Sequence, residues 1–280
     1  MRARSMRRRV IGCAKAVVIV LAVLWSTFPI FLVVSSSFKR TSDIFAVPLK
    51  IVFEPTVENY VGLWRDWSVF FTGLVNSLVI TIGATLLTVV GSALAGWVFS
   101  RCSGRYFTGS AFALIILRLI PPIVITLPLF PIANVIGLND THILLIALYA
   151  TFFVSLGAWI MKAFFNQVPR ELEEAAANDG ASLHQILLHI TMPLAVPGMI
   201  AAAVFIFIFS WNDYLFAFIF TTSRAKTAPV ILSEIMGSAT GVDWGILFAA
   251  ASIQLVPIVI FVIFLQKYLM AGLTAGSMKG

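Results

Sequence analysis

The stretch ELEEAAANDGASLHQILLHITMP, residues 171–193, concentrates negative charge in a chain that is otherwise mostly apolar. Pro169 suits the first turn of a helix, where its missing N–H costs nothing, and the alanines favour continuing it. Gly180 can adopt the left-handed conformation that ends a helix. Ser182 and Gln185 then form an S-x-x-Q capping box for a second helix. The stretch therefore predicts two short helices joined by a tight turn.

The second of these helices is predicted to be amphipathic. Its apolar residues recur with the i, i+3, i+4, i+7 spacing of one helix face. They are Leu183, Ile186, Leu187 and Ile190. We expect this stripe to hold the helix pair against the apolar remainder of the chain, and Pro193 to end the second helix. A charge run alone would instead indicate a solvated loop.

The composition places the chain among integral membrane proteins. Of its 280 residues 60% are hydrophobic and only 11% are charged, with a mean hydropathy of +1.00. Soluble domains contain about 25% charged residues. The cysteines and histidines are scattered without metal or redox spacing, and there is no Gly-rich phosphate loop. We therefore expect no metal, no nucleotide site and no nucleic-acid partner.

Six segments are long and apolar enough to cross a bilayer, which takes ~20 residues. They are Ala16–Val34, Leu74–Val98, Thr108–Ala133, Ile143–Met161, Leu194–Phe220 and Ile246–Gln266. Since backbone polar groups must be paired in lipid, each should be helical, which predicts an all-α membrane protein. The basic start MRARSMRRR is also typical of a secretory signal peptide, but the apolar run after it exceeds the usual 7–15 residues. We expect an uncleaved first helix.

Basic residues indicate the orientation. With the N-terminus in the cytosol, the inner connections hold 12 Lys and Arg residues and the outer ones only six. This asymmetry is the positive-inside pattern, so the net charge of +7 reflects topology. Both termini and the acidic loop are then cytosolic. The predicted organisation is a basic N-terminus (1–15), the first helix with an outer segment (16–72), a five-helix core (73–270) with its loop at 166–193, and a tail (271–280).

The acidic stretch resembles a known family. EAAANDGASLHQILLHITMP, residues 174–193, is similar to the EAA loop of ATP-binding-cassette (ABC) importer permeases: E-A-A, three residues, G, nine residues, I-x-x-P. The one departure is Met192, where the family usually has Leu. The resemblance implies the type I importer permease fold, with a coupling helix that docks on a separate cytosolic ATPase. It assigns that role to Glu174, Ala175, Ala176, Asp179, Gly180, Ile190 and Pro193.

Three further stretches resemble the carbohydrate importers of this family, especially the six-span partner of maltose- and trehalose-type systems. They are SSSFK (35–39), FSWNDYLFA (209–217) and the ending GLTAGSMKG (272–280). The resemblance implies a second permease subunit, a dimer of ATPase subunits that bind ATP and Mg²⁺, an extracytoplasmic sugar-binding protein, and the plasma membrane of a prokaryote. It also implies that the tail contacts the ATPases through Gly276, Ser277 and Lys279. Without the resemblance, the tail would be interpreted as a frayed terminus.

Polar residues inside spans are costly and so mark candidates for the substrate path. The candidates are Asn76, Arg118, Trp211, Asn212, Asp213, Tyr214 and Gln254. Asn212 and Asp213 between aromatic residues suit a neutral sugar, although they could equally bond across helices. Arg118 could pair with Asp213. It could instead bond to carbonyls freed beside Pro121 and Pro122, or to a partner chain. These prolines are expected to break the helix and free carbonyls near mid-depth.

Competing functions remain at this point. An ion-driven secondary transporter would use Arg118 and Asp213 as a relay. A membrane-embedded enzyme would need His, Asp or Glu residues clustered at one depth, and the sequence shows none. Within the importer class, the substrate could be glycerol 3-phosphate or another polyol derivative. The leading expectation is a carbohydrate importer permease that performs no covalent chemistry and holds no cofactor of its own.

Overall fold

The computed structural model describes the backbone of residues 2–238 and 241–275, and the side chains of residue 12 and of residues 14–238 and 241–265. Within these residues the regular structure is entirely helical. The helices are α1 (Arg2–Ser37), α2 (Thr41–Ile44), α3 (Glu58–Asp66), α4 (Val69–Arg101), α5 (Arg105–Leu119), α6 (Pro122–Val135), α7 (His142–Phe165), α8 (Arg170–Asn178), α9 (Leu183–Ile186), α10 (Met192–Leu194), α11 (Val196–Trp211), α12 (Leu215–Phe220), α13 (Ala228–Met236) and α14 (Trp244–Ala275).

The helices fall into two compact units. One comprises residues 1–70 and 232–255, and in it Asn59 of α3 donates hydrogen bonds to the carbonyls of Ser37 and Lys39 at 2.8 Å each. The other comprises residues 71–231 and 256–280. It holds the main apolar core, which α7 supplies with its largest buried side chains, among them Tyr149 and Phe165.

The six apolar segments expected from the sequence lie mainly in helices. Four helices are long enough to span a membrane without interruption: Ala14–Ser37 of α1, α4, α7 and Trp244–Leu265 of α14. Two bent helix pairs in the described residues, α5 with α6 and the 183–194 stretch with α11, meet the same criteria together, and each is either a broken span or a re-entrant loop. The prediction of an all-α membrane protein is confirmed, with four continuous candidate spans and six if each bent pair is one span.

The first break lies at the proline pair. The helix axes of α5 and α6 differ by 89° across Ile120 and Pro121. Neither proline has an N–H to donate, so the helix ladder stops there. The carbonyl of Leu117 finds a substitute donor in the N–H of Ile120, at 3.3 Å. The expected break is thus present, and it leaves non-helical backbone within an apolar segment.

The second break corrects an expectation about Pro193. The helix does not end before this proline but continues to Leu194, and the 72° bend comes at Ala195. A π-helical turn, Leu187–Thr191, precedes the proline, with the Met192 N–H bonded to the Leu187 carbonyl. Proline normally clashes with the carbonyl four residues earlier. The wider π turn spaces these groups differently and lets the helix pass through Pro193.

Close helix contacts in the larger unit depend on glycine. A Cβ atom added at Gly96 of α4 would lie 2.5 Å from the Cβ of Met161 and 2.8 Å from the backbone N of Lys162. At Gly198 of α11 it would lie 2.5 Å from the ring of Phe164. Small residues permit such approaches between membrane helices. They bring the last turns of α4 and the first turn of α11 against the last turns of α7, which precede α8.

Candidate coupling loop and transport path

The loop after α7 is built as the sequence predicts. Pro169 directly precedes α8, and the capping box between Ser182 and Gln185 is formed in both directions. Gly180 has a φ of +86°. The Gly180 N–H bonds to the carbonyl of Ala177, and the Ala181 N–H to that of Ala176. These two bonds make a Schellman motif, which requires the left-handed residue that only glycine adopts without strain.

Helix α8 presents two different faces. Glu171, Glu174 and Ala175 are exposed, and so are Asp179 and Gly180 at its end. Three and four residues apart, such positions share one side of a helix. The exposed side is acidic, and Leu172, which is 45% exposed, adds a large apolar side chain one turn before Ala175. The opposite side, with half-buried Glu173 and Ala176, faces the rest of the unit.

Glu173 is anchored by a buried ion pair with Arg101, the last residue of α4. The Arg101 Nε donates to both carboxylate oxygens, at 2.9 and 3.0 Å. Only 9% of the Arg101 side chain and 14% of the Glu173 side chain are exposed. The remaining guanidinium nitrogens donate to the carbonyls of Phe165 and Val168, at 2.9 and 3.0 Å. One arginine therefore joins the ends of α4 and α7 to α8.

Glu173 also reaches the segment that leads into α11. The hydroxyl of Thr191, which is fully buried, donates to Glu173 Oε1 at 2.9 Å. One turn earlier in α8, Arg170 donates to the carbonyl of Ser100 at 2.9 Å. The sequence did not single out Arg101, Glu173 or Thr191. Their contacts join positions 18 and 72 residues apart, so no local pattern reveals them.

The apolar stripe of the second loop helix is only partly buried. Ile186 and Leu187 pack inside and Ile190 is half-buried, as expected, but Leu183 is exposed. Leu183 is the first residue after the cap, so it lies at the outer end of the stripe. Pro193 is exposed as well. The loop therefore offers apolar as well as acidic surface next to Gly180.

The FSWNDYLFA stretch forms a third interruption, between α11 and α12. Trp211 ends α11 and is only 1% exposed, with its ring 6.1 Å from that of Phe207 and parallel to it within 5°. Trp211 is thus a packing residue in this conformation. Asn212 is exposed, and its amide nitrogen donates to the Ile208 carbonyl at 2.8 Å. Among the described residues nothing bonds its side-chain carbonyl oxygen.

Asp213 and Tyr214 complete this interruption. The Asp213 carboxylate accepts a hydrogen bond from the N–H of Phe216 at 3.1 Å and so caps the start of α12. Tyr214 is exposed, and its ring stacks on Phe218 at 5.1 Å. The structure therefore divides the predicted sugar-binding group: Asn212 and Tyr214 are open to a ligand, whereas Asp213 and Trp211 hold the local fold.

Asn76 is buried and fully engaged. Its amide nitrogen donates to the carbonyls of Arg224 and Lys226 at 2.9 Å each, and its oxygen lies 2.7 Å from His142 Nε2. An amide oxygen can only accept, so Nε2 of His142 is the donor in this contact. Asn76 thus ties the loop before α13 to α4, and its place in a substrate path stays a prediction.

Arg118 and Gln254, the other two predicted substrate-path residues, are not part of the break between α11 and α12. Arg118 is half-buried on the last turn of α5, beside the 89° break. In the part of the chain that the structure describes it forms no ion pair or hydrogen bond, so it does not pair with Asp213. Gln254 is 9% exposed and belongs to the smaller unit. The predicted tail contacts, Gly276, Ser277 and Lys279, lie outside the described residues.

Asp140 organises a second cluster that the sequence did not reveal. It has a φ of +59°, and its carboxylate accepts backbone hydrogen bonds at 3.0–3.2 Å. The donors are the N–H groups of Thr222, Ser223, Arg224 and Ala225. Burial alone would raise the pKa of Asp140, but these donors outweigh it and hold the pKa well below its ordinary value. The residue stays ionised and fixes the 221–226 turn.

Across the described residues no group of three His, Cys, Asp or Glu side chains could hold a metal ion. The features that stand out are the exposed acidic face of α8, the buried ion pair behind it, and three breaks in apolar helices. A broken helix exposes backbone that lipid cannot satisfy, so such breaks line cavities or contact other protein. This arrangement suits transport and mechanical coupling.

Comparison with known proteins agrees with these features. The chain is 36% identical over 270 residues to the trehalose transport system permease protein SugB of Mycobacterium tuberculosis, covering 95% of this chain and 97% of that protein. It is 34% identical over 255 residues to the trehalose/maltose transport system permease protein MalG of Thermococcus litoralis, covering 90% and 91%.

A solved structure has the same fold. It is a chain of a bacterial ABC transporter involved in the import of the acidic polysaccharide alginate, with a TM-score of 0.76 and 19% identity over 93% of this chain and 96% of that one. The type I importer permease fold expected from the sequence is therefore confirmed. Residues 88–274 match the family of binding-protein-dependent transport system inner membrane components, and the chain belongs to this family.

Proposed function

We propose that this chain is one permease subunit of an ATP-driven importer that carries a disaccharide or oligosaccharide into the cytoplasm. The observation that carries the proposal is α8: a short helix with an exposed acidic face, ended by a left-handed glycine and anchored from behind to two spans. Such a helix can receive motion from a partner and pass it to the membrane helices. The chain itself performs no covalent step.

This arrangement suits three kinds of partner. A dimer of cytosolic ATPase subunits would bind α8, and a second permease would cover the breaks in α5–α6 and α11–α12. A binding protein outside the membrane would deliver the sugar. Arg118 supports a second permease, because it has no partner among the described residues and an unpaired arginine is costly inside a membrane, about 2.5–3.5 kcal/mol on insertion scales.

The substrate class is supported by the exposed break at Asn212 and Tyr214. An amide and an adjacent aromatic ring suit a neutral sugar, since the amide can bond hydroxyls while the ring covers the apolar face of the sugar. The permeases of the trehalose and trehalose/maltose systems among the relatives are 36% and 34% identical to this chain. An ion-driven relay is less well supported, because Asp213 caps α12 and Arg118 does not contact it.

The experiment is reconstitution of this chain in vesicles with the second permease, ATPase and binding protein that are encoded by neighbouring genes. We expect radiolabelled trehalose or maltose to accumulate only with ATP and binding protein, and to do so when ionophores remove the proton and sodium gradients. Accumulation that needs a gradient and no ATPase would reject the proposal. Uptake of glycerol 3-phosphate in place of either sugar would retain the importer and reject the substrate class.

The proposed orientation puts both termini and α8 in the cytosol. We expect a membrane-impermeant thiol reagent added to intact cells to label Glu58→Cys and to spare Arg105→Cys, in a background that carries Cys13→Ser and Cys102→Ser. Both positions are exposed, so access depends on the side of the membrane. After permeabilisation both should react. Labelling of Arg105→Cys in intact cells would reverse the topology.

A further inference from the structure

We propose that Arg101, Glu173 and Thr191 form a latch that makes α8 move as one body with the ends of α4 and α11. Arg101 and Glu173 are positioning residues: they act through α8 and do not touch sugar or nucleotide. The proposal deepens the proposed function and rests on it, because it concerns how motion of α8 reaches the membrane helices.

The geometry of the ion pair supports a mechanical role. Arg101 uses its Nε on Glu173 and its remaining nitrogens on Ser100, Phe165 and Val168. A guanidinium group has five donors in a fixed plane, so this set of bonds fixes both the position and the orientation of the guanidinium plane. Rotation of α8 about its own axis would break both bonds between Arg101 Nε and the Glu173 carboxylate.

The second arm of the latch reaches α11. Thr191 lies in the π-helical turn just before α10, and its hydroxyl bonds Glu173 Oε1 at 2.9 Å. The same carboxylate oxygen therefore binds the end of α4 and the stretch before α11. Displacement of Glu173 would pull on both spans, and coupling of this kind needs such a contiguous network.

The faces of α8 separate docking from transmission. Glu174 is exposed and available to a partner, whereas Glu173, its neighbour in the chain, points into the unit and is nearly buried. Breaking one partner of a buried pair leaves an uncompensated charge. We therefore expect changes at Glu173 to alter how much transport each hydrolysed ATP drives, and changes at Glu174 to alter binding of the ATPase.

The experiment compares Glu173→Gln with Glu171→Gln, the same chemical change on the exposed face of the same helix. Both are reconstituted in the complete transporter. The measurements are the number of ATPase subunits bound per permease, the rate of ATP hydrolysis and the uptake of radiolabelled trehalose. For Glu173→Gln we expect normal stoichiometry, continued hydrolysis, and a roughly tenfold fall in uptake per ATP hydrolysed. Glu171→Gln should keep the wild-type ratio of uptake to hydrolysis.

A purely structural role predicts a different result. Uptake, hydrolysis and assembled complex would then fall in proportion, the ratio would stay constant, and the latch would be rejected. An unchanged Glu173→Gln transporter would reject it as well. If Glu173→Gln does not assemble, Thr191→Val removes one hydrogen bond and keeps the ion pair. It should lower the ratio less, and an unchanged ratio there would overturn the proposal.

A distance measurement gives a readout that does not depend on the sugar. Spin labels at the exposed native Cys102, just after α4, and at exposed Ala177→Cys on α8 report whether the two elements move together. With Cys13→Ser and cysteine-free partners, the wild-type distance should be the same with and without ATP, and Glu173→Gln should make it change. A wild-type distance that changes with ATP would reject the latch. A wild type that retains no ATPase would instead reject the proposed function.

Discussion

Glu174→Lys is expected to release the ATPase from the membrane complex and to abolish ATP-driven uptake, while the protein still inserts. Glu174 lies on the exposed face of α8, and no hydrogen bond or ion pair joins it to the rest of the described chain. The substitution should therefore cost the fold little. Docked charge pairs at an interface have coupling energies of about 1.5–7 kcal/mol, and reversal of one charge adds repulsion to the lost attraction. Copurification of the ATPase and uptake in vesicles measure the effect.

Two controls make this result specific. Glu171→Lys makes the same charge change one turn earlier on the same helix, and should weaken docking less if contact is centred on Glu174 and Ala175. Glu54→Lys makes it on a side chain that is 90% exposed, in the predicted outer segment, and should leave docking intact. Normal copurification and uptake in Glu174→Lys would leave α8 as a solvated connector and end its coupling role.

Much of this site could be predicted because it is local. The cap at Ser182, the turn at Gly180 and the break at Pro121 each depend on residues within one helical turn of each other, and the structure confirms all three. The expected end at Pro193 was wrong for an informative reason. Its effect depends on a π turn five residues long, whose presence the spacing of apolar residues does not indicate.

The parts that could not be predicted depend on contacts between distant segments. Arg101 and Glu173 are 72 positions apart, and Asp140 meets its donors more than 80 positions later. Charge patterns showed only that Glu173 belongs to an acidic run and Arg101 to a basic helix end. Burial then distinguishes residues that composition treats alike: Glu173 is inside and Glu174 is outside, although they are neighbours in the chain.

Burial also explains why FSWNDYLFA, which the sequence predicts to be one binding group, is divided in the structure. Aromatic and amide residues within four positions suggest a sugar site, but the helix break at Asn212 turns consecutive side chains in different directions. Trp211 points into the core and Asn212 points out. A sequence pattern records the residues of such a group, whereas the break decides which of them a ligand can reach.

Substitutions at these two neighbours should therefore have opposite kinds of effect. Asn212→Ala removes an exposed amide whose oxygen has no partner among the described residues, so the fold should be retained. Loss of one hydrogen bond to a neutral sugar costs ~0.5–1.5 kcal/mol, which predicts a roughly 2- to 12-fold rise in the KM for trehalose uptake. Trp211→Ala empties a fully buried site and should destabilise the protein by ~3–5 kcal/mol.

The measurements are uptake kinetics for both variants and thermal unfolding of each purified complex in detergent. Asn212→Ala should unfold at the wild-type temperature with a raised KM, and Trp211→Ala should unfold at a clearly lower temperature and accumulate poorly in the membrane. Tyr214→Phe, which keeps the exposed ring and removes only the hydroxyl, is the companion to Asn212→Ala. If Asn212→Ala and Tyr214→Phe both transport trehalose and maltose with wild-type KM, the break between α11 and α12 does not line the substrate path. The sugar would then have to be bound mainly by the second permease.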